Sequence, residues 1–477
     1  MIAMPNRVEF NADLPDITES NALWRRAEPL IPAGTQTLAK GPTQFSDGVA
    51  PKYLRRGRGA RVWDVDGNEF LDYNLGIGPI ILGYCHPVVD EAIRRQLEDG
   101  ITFSLMHPLE VELAELLRDC VPNAEAVRFS KTGCDVTSAA VRLARAYTGR
   151  ERVLCCGYHG WHDWYIAVTD RNAGIPECVQ ELTHTFNYND LDSVFDAIGD
   201  ETACVILEPC VFERENGSFL SGLRAACNRY GALLIFDEMW TGFRCALGGA
   251  QEFFGVRADL SLFSKAMANG MPISAITGRK DVMALFEKEV FFFTTFGGEA
   301  LSLAASKACI EFMRGHDVAG YIANLGRRLV DGMNALIGDL GMDYVSVAGY
   351  PFRTIMNFSP AAGNPLEIKT FVQQELLRRG ILWSGIQNLC FSHTEADIDY
   401  TLAAFADAAR HGASERASRV VPGSPSAGCE TEGRRDSGGR RSHTRHRDRA
   451  SSHLRAVSGP LVGSGPDERG RPGRRRQ

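Results

Sequence analysis

The chain has 477 residues, of which 44% are hydrophobic and 23% charged, and its formal net charge is −7. This composition excludes a wholly disordered, collagen-like or coiled-coil chain, and the acidic balance argues against nucleic acid as the main partner. There is no run of 18 apolar residues, no apolar leader segment and no CxxC pair among the 13 cysteines. We therefore expect a cytoplasmic protein with reduced thiols, without a membrane span, a disulfide framework or a zinc site.

The first predicted elements are a helix near residues 17–30 and a β-hairpin at 61–73, where apolar residues alternate around an Asp-Gly turn. Short apolar runs then alternate with segments of helical spacing. We predict strands at 152–156, 203–208, 232–238, 260–265 and 273–278, and helices at 109–120, 135–147, 219–230 and 300–313. Apolar strands interleaved with helices indicate a largely parallel sheet that is covered on both faces.

The pattern changes beyond residue 315. A predicted helix at 318–336 precedes strands at 344–347 and 353–358 and helices at 366–378 and 395–410, which is typical of a smaller α+β domain. We therefore divide the body into an N-terminal segment, 1–65, that contributes to the small domain, a large domain, 66–314, and a C-terminal small domain, 315–411.

Residues 412–477 differ in composition from the rest of the chain. They contain 15 Arg, 11 Gly and 10 Ser and carry a net charge of +8, so the remainder carries −15. Such a segment cannot bury enough apolar surface to offset its ordering entropy, and we predict that it is disordered. It is either a basic arm for anionic surfaces or, as we favour, the product of translation past a frameshift or a lost stop codon. The segment contains no Lys, Ile, Asn, Phe, Tyr, Trp or Met, and all of these except Trp and Met have A/T-rich codons.

Two polar features flank predicted strands and helices of the large domain. Thr132-Gly133-Cys134 opens a helix, and the N–H groups at a helix start suit a phosphate, although an ordinary capped helix would read the same way. Asp237 stands at the carboxyl end of an apolar strand, where open α/β sheets bind ligands. There it is either a partner for a protonated heteroaromatic nitrogen or a solvated acid.

Lys265 and Tyr158 also follow apolar strands. Lys265 is either a snorkelling side chain or a buried amine whose lowered pKa makes it a nucleophile. Tyr158 is either a stacking partner for a cofactor ring or an ordinary loop tyrosine. His159 and His162 could be imagined as metal ligands, but no third ligand lies nearby in sequence, so we predict no metal.

A phosphate cradle, a ring stacker, a carboxylate and an amine together describe a pyridoxal 5′-phosphate (PLP) site. Lys265 would bind the aldehyde as a Schiff base, the internal aldimine, and would later move protons as a general acid–base. Asp237 would keep the pyridine nitrogen protonated, so that the ring can take up the electrons of a substrate carbanion.

Across about residues 29–410 the sequence resembles class III (subgroup II) aminotransferases, especially the branch around glutamate-1-semialdehyde 2,1-aminomutase. The motifs that carry the resemblance occur in the family's order: WDVDGNEFLDY, KTGCDV, GYHGWHD, FDEMWTGFR and TTFGG. The resemblance implies an α/β fold-type-I PLP-dependent transferase. Such an enzyme has a large domain with a mostly parallel seven-stranded sheet flanked by helices, a small α+β domain, and active sites at a homodimer interface.

The resemblance also implies roles for individual residues. Lys265 and Asp237 match the catalytic lysine and the pyridine-nitrogen partner, and Thr295 matches the threonine that is donated to the neighbouring subunit's phosphate. Arg244 is either a site residue or a structural arginine. The positions that match cofactor-binding residues are Gly133, Cys134, Tyr158, His159, Glu208, Asp237, Lys265 and Thr295.

Three departures from the family pattern concern the ligands. Cys134 replaces a threonine of the phosphate loop with a weaker thiol donor. Trp161 and Lys40 stand where family members carry arginines for a substrate carboxylate, and lysine lacks the planar fork of arginine. We expect both residues to face the substrate.

The predicted function is transfer of an amino group from an amino-acid donor such as glutamate to an aldehyde or ketone. The alternative is a glutamate-1-semialdehyde-type 2,1-aminomutase, which moves the amine within one molecule, but residues 380–393 lack the acid found in that branch. A non-catalytic scaffold protein is a third possibility, and the intact Lys265 and Asp237 argue against it.

Overall fold

Buried apolar strands form the central sheet of the protein, of which the computed structural model describes residues 10–11 and 13–419. The strands, in chain order, are β1 (Leu54–Arg58), β2 (Arg61–Asp64), β3 (Glu69–Asp72), β4 (Ala126–Ser130), β5 (Arg152–Cys156), β6 (Thr183–Thr185), β7 (Thr202–Leu207), β8 (Leu233–Asp237), β9 (Leu260–Phe263), β10 (Ser274–Gly278), β11 (Val345–Tyr350), β12 (Arg353–Phe358), β13 (Ile381–Leu382) and β14 (Ile386–Asn388). The central sheet has seven strands in the order β4-β10-β9-β8-β7-β5-β6. Strands β5 to β9 run parallel, and β10 is antiparallel to both of its neighbours.

Helices cover both faces of this sheet. The helices are α1 (Thr18–Ala27), α2 (Pro87–Asp99), α3 (Pro108–Cys120), α4 (Gly133–Thr148), α5 (Asp163–Ile166), α6 (Glu177–Gln180), α7 (Leu191–Ala197), α8 (Phe219–Tyr230), α9 (Ala250–Phe254), α10 (Lys280–Met283), α11 (Ala300–His316), α12 (Val318–Asp339), α13 (Pro365–Arg378) and α14 (Glu395–Arg419). In β8, Ile235 belongs to the apolar cluster with α4, whereas Leu234 and Phe236 belong to the cluster with α8. Because successive strand residues point to opposite faces, a continuous apolar run is needed here.

Two further sheets lie outside the central one, and one of them combines strands from both ends of the chain. β11, β12 and β14 form an antiparallel sheet, while β13 pairs in parallel with β3, next to β2 and β1. The N-terminal part that pairs with the C-terminal part extends to Asp72, and the β2–β3 hairpin spans residue 65, where the predicted division lies.

The predicted strands of the large domain agree with the structure to within two residues, and the predicted seven-stranded, mostly parallel sheet is confirmed. The sequence reading missed two strands of the central sheet, β4 and β6, and, elsewhere in the described chain, β1, β13, β14 and the helices α2, α5, α6, α7, α9 and α10. Helix α14 runs to Arg419, past its predicted end at 410 and into the first eight residues that we assigned to the tail. The rest of that segment, 420–477, lies outside the described residues. Within the described part of the chain, no helix has the length and apolar character needed to cross a membrane.

Candidate active site

The carboxyl ends of four parallel strands bring the predicted site residues to one edge of the sheet. β5 is followed by Tyr158 and His159, β7 by Glu208 and β9 by Lys265, while Asp237 is the last residue of β8. Because β5, β7, β8 and β9 are adjacent and parallel, their ends meet at the same edge.

Lys265 begins a 3₁₀ turn directly after β9 and has φ +40°, in the left-handed region. Its Nζ lies 3.8 Å from the centroid of the Trp240 ring. Burial lowers the pKa of Lys265 to about 7, and the charges of Arg353 and Arg244 act in the same direction. The carboxylates of Glu208 and Asp237 act in the opposite direction, which places both acids within electrostatic reach of the amine. A lysine in this state is a nucleophile near neutral pH.

Asp237 is 1% exposed and is held in place by two groups. Its Oδ2 lies 2.7 Å from Nδ1 of the buried His159, and its Oδ1 accepts a hydrogen bond of 3.1 Å from the N–H of Met239. Nε2 of His159 lies 3.1 Å from the carbonyl oxygen of Cys156. Both ring nitrogens thus face oxygen atoms. The carboxylate is therefore oriented by a group on the neighbouring strand end.

The start of α4 is a capped turn whose first N–H groups face away from the helix. Oγ1 of Thr132 accepts from the N–H of Asp135, and the Asp135 carboxylate accepts in return from the N–H of Thr132. Gly133 and Cys134 follow as the first two helical residues, whose N–H groups have no acceptor inside a helix. A Cβ at Gly133 would lie 3.0 Å from Sδ of Met239, so only a residue without a side chain fits comfortably. This is the local structure that suits an anionic oxygen cluster.

Glu208 and Tyr158 are joined through the backbone. The N–H of Tyr158 donates to Oε1 of Glu208 at 2.9 Å, and Glu208 is 4% exposed. The Tyr158 side chain is 51% exposed and meets Tyr165 edge to face at 5.6 Å. One face of the Tyr158 ring therefore remains accessible for stacking.

Other predicted residues lie on the surface. Lys40 is exposed in a short 3₁₀ turn, and no hydrogen bond or ion pair within the described ranges connects it to the group around Lys265. Trp161 is 69% exposed and packs edge to face on His162. Thr295 is exposed in the segment before α11. The predicted contacts of these three residues with cofactor or substrate stay predictions.

Arg244 has a structural environment. It is fully buried, and its guanidinium donates to the backbone carbonyls of Trp240, Leu389 and Gly78. Burial lowers its pKa to about 10. The carbonyls occupy its donors, so the arginine ties the β8–α9 connection to two distant loops.

Sequence reasoning missed Arg353, the first residue of β12. Its Cζ lies 3.8 Å from the centroid of the same Trp240 ring that Lys265 contacts. The only local signal was an arginine at the start of a predicted apolar strand, which does not reveal a partner more than 100 residues away.

The donor set fits PLP on chemical grounds. The chain supplies an amine with a pKa of about 7, an oriented carboxylate, an accessible aromatic ring and a helix start with free N–H groups. These are the groups that an aldehyde, a pyridine nitrogen, an aromatic ring face and a phosphate require.

Comparison with known proteins agrees with this fit. The family model described as aminotransferase class III matches residues 45–349. The 3-aminobutyryl-CoA aminotransferase of Cloacimonas acidaminovorans is 35% identical over 403 residues, which cover 81% of this chain and 96% of the relative. The glutamate-1-semialdehyde 2,1-aminomutase of Syntrophobacter fumaroxidans is 34% identical over 420 residues, which cover 82% of this chain and 96% of the relative. Among solved structures, the FumI protein of Sphingopyxis sp. MTA144 in its PLP internal aldimine form has a TM-score of 0.79, with 29% identity and coverage of 84% and 98%.

Proposed function

This chain belongs to the class III aminotransferase family and is a PLP-dependent aminotransferase, and we propose that it transfers an amino group from an amino acid such as glutamate to an aldehyde or ketone, with Lys265 as the reacting amine. The observation that carries this proposal is the lowered pKa of Lys265 at the edge of the sheet where Asp237 also stands. A neutral amine can attack a carbonyl carbon, and a buried amine is shielded from reaction with other carbonyl compounds in solution.

The roles of the chain's residues follow from their surroundings. PLP supplies an electron sink for the carbon that exchanges its amino group. Lys265 binds the cofactor's aldehyde and, once displaced by a substrate amine, carries a proton between the two carbons that exchange hydrogen. Asp237, oriented by His159, keeps a proton on the ring nitrogen, and this charge strengthens the electron sink.

Further residues hold the cofactor. Gly133 and Cys134, at the start of α4, would donate backbone N–H groups to its phosphate, and the half-exposed Tyr158 would stack on its ring. Glu208 fixes the backbone of Tyr158 and so sets the position of that ring. Burial raises the pKa of Cys134, which keeps its side chain a neutral thiol beside an anionic group.

An exposed apolar patch on the surface supports a homodimer. Leu105 and Met106 are 79% and 82% exposed, and Phe291 and Phe293 are 73% and 64% exposed. The two segments that carry them meet where the N–H of Ala300 donates to the carbonyl of Ile101. A patch of this kind favours association with a second copy, and that copy would bring Thr295 to its partner's cofactor phosphate.

The second candidate is the aminomutase reaction, which is favoured by the 34% identity to a protein of that name. An aminomutase needs no separate donor. Turnover of a single labelled substrate, with the label retained in one product, would support the aminomutase, whereas dependence on a separate amino donor would support the aminotransferase.

The test is the pair Lys265→Ala and Lys369→Ala. Lys369 is also a half-buried lysine whose pKa is lowered by burial, but it lies in α13 of the small domain. We expect Lys265→Ala to lose the visible absorbance of the bound cofactor and to slow amino transfer on the order of 10⁴-fold. Lys369→Ala should retain both. A Lys265→Ala protein with the native absorbance would refute the proposal.

A further inference from the structure

Arg353 connects the small domain to the edge of the central sheet. Its backbone lies in β12 between Tyr350 of β11 and Asn388 of β14. Its side chain is 7% exposed and extends to two aromatic rings of the large domain, with Cζ 4.3 Å from the Phe212 centroid and 3.8 Å from the Trp240 centroid. The guanidinium is therefore held in a fixed plane by aromatic faces.

This guanidinium has no oxygen partner in the described part of the chain. Its Nε is fully buried without an acceptor, and none of its nitrogens forms a hydrogen bond or an ion pair with any described residue. Other buried arginines differ: Arg244 donates to three carbonyls, and Arg379 pairs with Glu375 and Asp407. A buried cation without acceptors is costly, so an arginine in this state is suited to an anion that arrives from outside the chain.

The free guanidinium stands next to the reacting amine. Cζ of Arg353 and Nζ of Lys265 each lie 3.8 Å from the centroid of Trp240, so they are separated by at most twice that distance. The same acid, Glu208, acts electrostatically on both cations. Glu208 itself forms no ion pair with Arg353 and accepts from the backbone of Tyr158 instead. An anion bound to Arg353 would therefore lie within a few bonds of the carbon that exchanges its amino group.

We propose that Arg353 binds the carboxylate of the substrate, so that this enzyme acts on amino and oxo acids in preference to neutral amines and aldehydes. The inference rests on the proposed aminotransferase function and adds the substrate class. It also replaces the expectation that Lys40 or Trp161 recognises the substrate. The guanidinium offers two parallel N–H donors to a carboxylate, and the Trp240 and Phe212 rings keep the fork in place before the ligand arrives.

The test measures the binding of acetate, the smallest alkyl carboxylate, to the holoenzyme by saturation-transfer NMR. We expect saturable binding to the wild type, binding weakened about 10- to 100-fold in Arg353→Met, and intermediate binding in Arg353→Lys, which keeps the charge without the fork. The matched control is Arg56→Met, since Arg56 also packs on a tryptophan, Trp63, at 4.1 Å but on the exposed strand β1. Arg56→Met should bind acetate as the wild type does.

A second measurement links binding to chemistry. The rate at which the cofactor absorbance changes is compared for 3-aminobutyrate and for isopropylamine, which lacks only the carboxylate. Arg353→Met should lower the advantage of the acid over the amine by the same factor as it weakens acetate, with unchanged cofactor absorbance and an unfolding temperature that is not lowered.

Equal acetate binding by the wild type and Arg353→Met, or no acetate binding by the wild type, would overturn the inference. Either result would leave the aminotransferase function intact, since that function fails only if Lys265→Ala keeps its cofactor absorbance. The two failures are therefore distinguishable.

Discussion

The two sides of the site differ in how their polar groups are satisfied. On the sheet side, Asp237 is bound by His159 and by a backbone N–H, and Arg244 is bound by three carbonyls. On the small-domain side, Arg353 has aromatic rings around it and no oxygen partner among the residues described. Groups that the chain satisfies itself are positioned before any ligand binds, whereas Arg353 keeps donors that the proposed substrate carboxylate would use.

The largest expected effect comes from a substitution on the sheet side of the site, at Asp237. In Asp237→Asn the side chain keeps its shape and presents an amide to His159, but it loses the charge that, in the role we propose, holds a proton on the cofactor's ring nitrogen. We expect kcat to fall about 10²- to 10⁴-fold, with the cofactor still bound. Steady-state kinetics and absorbance spectra measure this, and Asp331→Asn on the exposed face of α12 is the control. An Asp237→Asn enzyme within threefold of the wild type would contradict the assigned role.

Substitution of two buried arginines tests the difference between the two sides through the free energy of unfolding. Arg244→Met leaves three buried carbonyls without donors, and we expect the free energy of unfolding to fall by about 3 kcal/mol. Arg353→Met removes a buried cation that has no acceptor in the described chain, so the free energy of unfolding should stay the same or rise. Denaturant unfolding of both variants checks this. Equal destabilisation by the two substitutions would show that the two sides do not differ.

The lowered pKa of Lys265 predicts a pH dependence for cofactor uptake. The amine must be neutral to attack the aldehyde, and with a pKa of about 7 it loses its proton as the pH rises through 7. The rate at which the apoenzyme takes up PLP should therefore rise with pH, with half of the maximum near pH 7 and a plateau above it. Stopped-flow absorbance measures the profile. A rate that still increased tenfold per pH unit above pH 9 would indicate an amine with an ordinary pKa.

The smallest effect is expected at the start of α11, beside the sheet side. Glu299 pairs with Lys131 at 2.6 Å, and its carboxylate accepts from the N–H groups of Leu301 and Ser302. Glu299→Gln keeps an acceptor for the helix start but removes the ion pair, and we expect a loss of about 1 kcal/mol in unfolding free energy. Glu311→Gln, whose carboxylate lies 3.9 Å from Lys307 on the surface, should change it by a few tenths. Equal effects at both positions would show that the partial burial of Lys131 is without consequence.

The sequence predicted the sheet side because its signals are local. Apolar runs located the parallel strands, and the polar residue that follows each run marks the sheet edge where ligands bind. The sequence alone could not show that Asp237 and its neighbour Glu238 have different surroundings. In the structure Glu238 points away from the site and accepts from the N–H groups of Ala250 and Gln251, which start α9.

The small-domain side could not be predicted because it depends on long-range contacts. Arg353 meets Trp240 across more than 100 residues of sequence, and Arg244 meets Gly78 and Leu389 across similar distances. Neither contact leaves a periodic pattern in the chain. The family motifs pointed instead to the surface residues Lys40 and Trp161, to which the proposed Arg353 is the alternative.

The left-handed backbone of Lys265 links its proposed catalytic role to the thermal stability of the protein. A residue with a side chain is strained at φ +40° by roughly 1–2 kcal/mol, and glycine is not. Lys265→Gly should relieve that strain and also remove an amine whose burial opposes its charge. With the role that we propose for Lys265, the variant that cannot carry out the reaction is expected to unfold at a higher temperature than the active enzyme, because the proposed chemistry needs a side chain where the backbone favours glycine.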